Sequence, residues 1–174
     1  MMKNAPSEFR AIAVALLLAT GTVGLPAWAL QPGEQAPGFE LPGRNGTVTF
    51  ALAAHPDKVI YVDFWASWCG PCRQSFPWMN AMQQKYGSAG LEVVGINLDA
   101  EAKDADAFLA QVPANFTVAF DPGGDSARRF GVKGMPTSFL IGRNGMVIHA
   151  HTGFNEDGRK QLEQMIAAAV EATP

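Results

Sequence analysis

The spacing of apolar residues changes along the chain, and each change marks a predicted element. Val59 to Ala66 is an almost unbroken run of β-branched and aromatic residues, which predicts a strand covered on both faces. Asp63 is its one polar interruption. From Pro71 to Tyr86, Phe76, Met79, Met82 and Tyr86 fall at three- and four-residue spacings, the period of a helix packed on one side. Pro71 suits its first turn, Pro77 inside it should kink it, and the methionines read as packing contacts. Leu91 to Leu98 predicts a second strand, parallel to the first and joined to it by a right-handed crossover. Glu101 to Gln111 reads as a helix with Phe108 and Leu109 on its apolar side, Phe116 to Phe120 as a strand and Ser126 to Phe130 as a short helix. Ser138 to Ile141 and Met146 to His151 predict a hairpin around Arg143-Asn-Gly145, and Asp157 to Ala172 a last helix with Asn155 as its cap.

The N-terminal part has a different pattern. Lys3 and Arg10 precede an apolar stretch, Ala11 to Leu25, broken only by Thr20 and Thr22, and Pro26-Ala-Trp-Ala29 offers a small-x-small cleavage site. This predicts a secretory signal peptide over residues 1–29, with residues 30–174 forming one domain. An uncleaved membrane anchor is the alternative, although the apolar run is shorter than the roughly 20 residues that span a bilayer comfortably. Leu30 to Pro42, rich in Pro and Gly, reads as an extended arm. Arg44-Asn-Gly46 followed by Thr47 to Ala51 reads as a hairpin turn and short strand.

Composition narrows the chemistry. The 174 residues carry a net charge of −3 and no Lys/Arg cluster, which argues against nucleic acid or an anionic membrane surface as a partner. The two cysteines, Cys69 and Cys72, stand where the apolar strand meets the predicted helix. Unpaired N–H groups and the helix dipole favour a thiolate there. Two intervening residues let Cys72 return to Cys69, so attack by Cys69 on a disulfide can be followed by release through Cys72. A static disulfide and half of a zinc site are the other readings. Structural zinc usually takes four Cys or His ligands, and His55, His149 and His151 show no paired helical spacing. His149 and His151 fall on one face of the last predicted strand, where they read as a metal pair or as decoration of a partly exposed strand. Export would let a disulfide persist, and a dithiol kept reduced there must be fed electrons. Asp63, placed in an apolar strand, reads either as a buried acid with a raised pKa that exchanges a proton near neutrality or as a carboxylate bonded to backbone N–H groups.

Asp63-Phe-Trp-Ala-Ser-Trp-Cys-Gly-Pro-Cys72 resembles the active-site signature of thioredoxin-like proteins. Ala36-Pro-Gly-Phe-Glu-Leu-Pro42, Asp121-Pro-Gly-Gly-Asp125 and Gly134-Met-Pro-Thr-Ser-Phe-Leu-Ile141 narrow the resemblance to the exported TlpA/ResA type. The resemblance implies an α/β thioredoxin-like fold: a central mixed sheet flanked by helices, an N-terminal β-hairpin, and a central β/α insertion built from residues 101–120. It implies a periplasmic thiol:disulfide oxidoreductase that reduces protein disulfides, such as those of apocytochrome c or copper-handling proteins. Such a protein needs no cofactor or metal, takes electrons from a membrane reductase and acts as a monomer. Cys69 and Cys72 would form the redox-active disulfide, with Asp63 taking the proton from Cys72. Trp68, Met135 and Pro136 would bind substrate, Met135-Pro136 matching a cis-proline turn beside the Cys pair. The chain departs from thioredoxin itself at Gly95, which aligns with the buried lysine that partners the acid there. A non-catalytic module holding Cu(I) between the two thiolates is the alternative function.

Overall fold

The computed structural model describes residues 30–43, 46 and 49–172. The predicted leader over residues 1–29 lies outside the described residues, as do four residues of the N-terminal turn region and the last two of the chain. Among the described residues, no helix is long and apolar enough to cross a membrane.

Two short strands, β1 (Glu40–Pro42) and β2 (Thr49–Ala51), pair antiparallel as the N-terminal hairpin. The end of the expected arm is therefore strand, because β2 supplies its backbone partners. The main sheet has five strands: β3 (Val59–Trp65), β4 (Leu91–Asn97), β5 (Thr117–Phe120), β6 (Thr137–Ile141) and β7 (Val147–Thr152). Their order is β5-β4-β3-β6-β7. β4 is parallel to both β3 and β5, whereas β6 is antiparallel to β3 and β7 to β6.

The parallel pairs require crossovers. Helix α1 (Gly70–Tyr86) joins β3 to β4, and α2 (Ala102–Gln111) joins β4 to β5. After β5 come the short α3 (Asp125–Arg129), the β6–β7 hairpin and α4 (Glu156–Glu171), capped by Asn155 accepting from Gly158 N at 2.8 Å. The main elements begin and end within a residue or so of the positions expected from the pattern, and α1 continues through Pro77.

β3 is central, and all seven of its residues are buried. Alternation sends Val59, Tyr61 and Trp65 into one apolar cluster, with α1, α2 and α4, and Ile60, Val62 and Phe64 into another, with α3 and the N-terminal arm. The arm is fastened at both sheet edges. Gln35 bridges to Met146, Gly43 bridges to Ala119, and Arg129 donates to the Gly38 carbonyl at 2.5 Å.

Candidate active site

The first cluster contains the Cys pair. β3 ends at Trp65, and Cys69 N donates back to the Ala66 carbonyl at 3.0 Å, closing a tight turn. Cys69 is the N-cap of α1, and its Sγ accepts from Cys72 N at 3.3 Å. Pro71 lies in the first turn, where its missing N–H leaves no bond unmade. The two sulfurs are joined in a disulfide. Neither is widely open to solvent: Cys69 is 5% exposed and Cys72 0%, whereas Trp68 beside them is 73% exposed. The approach to the disulfide is thus over Cys69 and past an uncovered indole.

The turn is held from β4. Ser67 N donates to Asp99 Oδ1 and Oδ2 at 3.2 and 2.9 Å, and Ser67 Oγ donates to Asp99 Oδ1 at 3.0 Å. Asn97 Nδ2 donates to Asp99 Oδ2 at 2.8 Å, and Leu98 N donates to the Trp65 carbonyl at 2.9 Å. Asn97 and Asp99 are buried, and a charged acceptor makes such bonds stronger than neutral ones. Sequence reasoning missed this clamp. Its only trace is two polar residues at the end of an apolar strand, which by themselves read as the start of a loop.

Asp63 lies one strand position from each of Phe64 and Val62 and on the same face as Tyr61 and Trp65, beneath α1. It is 2% exposed, and its Oδ2 has no hydrogen-bond partner among the described residues. Burial pushes its carboxyl well above the usual carboxylate range, because the charged form loses its water. Its lateral neighbours are Gly95 on β4 and Ser138 on β6. A Cβ at Gly95 would lie 3.0 Å from Phe116 Cε2 and 3.1 Å from Trp65 Nε1, so aromatic rings fill the ground a longer side chain would need. Those rings form a chain: Trp65 and Phe108 both pack on Phe76, at 4.9 and 5.0 Å, and Phe116 packs on it at 5.2 Å.

The Met135–Pro136 peptide is cis, with Pro136 buried and Met135 half-buried against the cluster that holds both cysteines. Thr137 Oγ1 donates to the Gly134 carbonyl at 2.7 Å, which braces the turn. His149 and His151 lie on the edge strand β7, with stacked rings 6.1 Å apart. No group of three or more His, Cys, Asp or Glu side chains suited to a metal occurs among the described residues.

Residues 31–166 match the family model described as Redoxin. The chain is 32% identical over 173 residues to the thiol-disulfide oxidoreductase ResA of Bacillus cereus, covering 95% of this chain and 97% of that one. To the ResA of Bacillus subtilis it is 30% identical over 125 residues, covering 72% and 69%. Among solved structures, one from Chlorobium tepidum, provisionally named thiol:disulfide interchange protein DsbE, is 58% identical with a TM-score of 0.78, covering 82% of this chain and 99% of that one. A disulfide at the start of a helix, read with these matches, places the chain in the redoxin family as a thiol-disulfide oxidoreductase of the TlpA/ResA type.

Proposed function

We propose that this oxidoreductase is exported, loses residues 1–29 as a signal peptide, and reduces disulfides of protein substrates in the periplasm. Cysteine residues of apocytochrome c or of copper-handling proteins are the substrate class, and a membrane reductase returns the electrons to a protein that works as a monomer. Cys69 is the attacking thiol and Cys72 the resolving one. The observation that carries this assignment is the N-cap position of Cys69, whose sulfur already accepts the Cys72 N–H; an amide so placed stabilises a thiolate. Cys72 lies one turn deeper and is fully buried.

Asp63 takes the proton of Cys72 when that thiol attacks the mixed disulfide. Its burial on the α1 side of the sheet supports the role, since a carboxyl held above its ordinary range can pick up a proton near neutrality. Trp68, Met135 and Pro136 form the surface that receives the substrate peptide. In support of this, Trp68 is an exposed large apolar side chain next to the least buried sulfur.

Trapping tests the assignment. Cys72→Ser can make the first attack but not the second, so substrate proteins should accumulate as mixed disulfides on Cys69. Cys69→Ser should trap none. Loss of trapping in Cys72→Ser, with retention in Cys69→Ser, would reverse the two roles.

A further inference from the structure

Five buried side-chain atoms have no hydrogen-bond partner among the described residues: Asp63 Oδ2, Trp65 Nε1, Trp78 Nε1, His149 Nε2 and His151 Nε2. All five belong to one side of the sheet. Trp65 and Trp78 are in the cluster with the Cys pair, and Asp63 shares the face of Trp65. His149 and His151 pair in register with Leu140 and Ser138, and Leu140 belongs to that same cluster. The position of His151 is fixed independently by α4: a Cβ at Gly158 would lie 2.8 Å from its Nε2. Buried polar atoms of this kind are usually matched by protein groups or by internal water.

One register line crosses four strands through Gly95, Asp63, Ser138 and His151. Its two sides differ. Beyond Gly95 stand the rings of Phe116 and Trp65. On the other side stands Ser138, itself buried, with the Tyr61 phenol near enough to interact with both Ser138 and Asp63. Beyond Ser138 is His151, half-buried on the edge strand β7. The residues that α1 and α4 bury against this face carry no formal charge. The titratable groups on it are Asp63, Tyr61, His149, His151 and the Cys pair, with Tyr86 at the end of α1 half-buried at its margin.

We propose that His151 is the proton outlet of Asp63, reached through the Ser138 and Tyr61 hydroxyls and internal water, with His149 as its neighbour. The proposal rests on the reading of Asp63 as proton acceptor. In the resolving step the Cys72 sulfur bonds to the Cys69 sulfur, the bond from Cys69 to the substrate sulfur breaks, and the electron pair leaves on the substrate sulfur. The Cys72 proton goes to the Asp63 carboxylate. Asp63 then passes a proton along the row, and His151 takes it on its inward Nε2 and returns one to solvent. Two electrons end on the substrate and the protein ends as the disulfide. A neutral imidazole is the competent resting form. Burial favours it.

The test is single-turnover oxidation of the full reduced protein by an aromatic disulfide whose product thiolate stays ionised at pH 7. Disulfide formation is followed by product absorbance and proton release by an indicator dye. In wild type the two signals should coincide. In His151→Gln, proton release should lag, with a rate about tenfold below that of disulfide formation, less than the full contribution of a positioned proton-transfer group. Added imidazole should close the gap. Ser138→Ala should show the same lag, and it answers the question if His151→Gln does not fold. Coincident signals in whichever of the two variants folds would overturn the outlet. If Asp63→Asn oxidises at the wild-type rate, the acceptor reading itself fails, whatever the lag.

Discussion

The two faces of the central sheet are built to different rules. Against α3 and the N-terminal arm, Phe39, Phe64, Phe130 and Phe139 pack ring on ring, with centroids 5.1 to 6.1 Å apart, and no buried side-chain atom without a partner falls on this side among the described residues. Against α1 and α4 the core is also apolar, yet it holds the disulfide, a buried acid and a pair of inward imidazoles. One face contributes cohesion, and the polar groups buried at α3, Asp121 and Ser126, are bonded to each other. The other face gives up some cohesion to hold ionisable groups on the same side as the disulfide. Placing both on opposite sides of β3 lets a rigid sheet support a site that contains unsatisfied polar atoms.

The comparison can be broken most directly on the apolar face. Phe130→Ala removes a fully buried ring that touches Phe39, Phe64 and Phe139, and should cost about 3–5 kcal/mol. Chemical denaturation would show it, while disulfide reduction per folded molecule should stay at the wild-type level. A fall in specific activity as large as the fall in stability would mean that the faces are not separate.

On the chemical face, Asp99→Ala removes three bonds to Ser67 and one to Asn97. Hydrogen bonds to a charged group contribute about 1.5–3 kcal/mol each, and because neighbouring bonds do not add, a total loss of about 2–3 kcal/mol is expected. Hydrogen exchange should quicken at the Ser67 amide more than in β6. Equal protection in wild type and variant would show that the turn before Cys69 is held by other contacts.

Asp63→Asn should move stability the other way. The fold keeps a proton on Asp63 that the unfolded chain releases, because the folded pKa is raised. The contribution of Asp63 to stability is therefore fully present below the unfolded pKa of about 3.9 and is lost as pH rises through the folded value. Asn removes that loss, so the variant should melt higher than wild type at neutral pH and turn over more slowly. Equal melting temperatures from pH 4 to pH 8 would argue that Asp63 stays as easily ionised in the fold as in the unfolded chain.

The smallest expected effect is on acid sensitivity. Burial holds His149 and His151 below the ordinary imidazole range, and the neighbouring His151 adds to it on His149. Groups with lowered pKa contribute stability that is fully present above the unfolded value of about 6.5 and lost as pH falls through the folded one. Replacing both with Gln should flatten the melting-temperature profile on the acid side of pH 6.5 and leave it unchanged above. An unchanged acid limb would mean that the imidazoles protonate in the fold without penalty.

The chain itself determined the centre of the site. An apolar run, a Cys pair and Pro71 in the first turn are local signals, and they place Cys69 and Cys72 at a strand-to-helix junction whatever surrounds it. The matching ends of the helices and strands have the same origin, in periodicity and caps. Tertiary structure alone decided what stands beside Asp63. Gly95 and Ser138 reach it through strand register, and Asp99 grips Ser67 across 32 residues of sequence. Alternation does put His149 and His151 on one face, but it cannot say which. The β6–β7 pairing shifts register between Leu140 and Ile141, so Val147 packs with the apolar face while His149, two residues on, pairs with Leu140 of the other. A one-residue shift reverses every side chain that follows, and only the folded pairing records it.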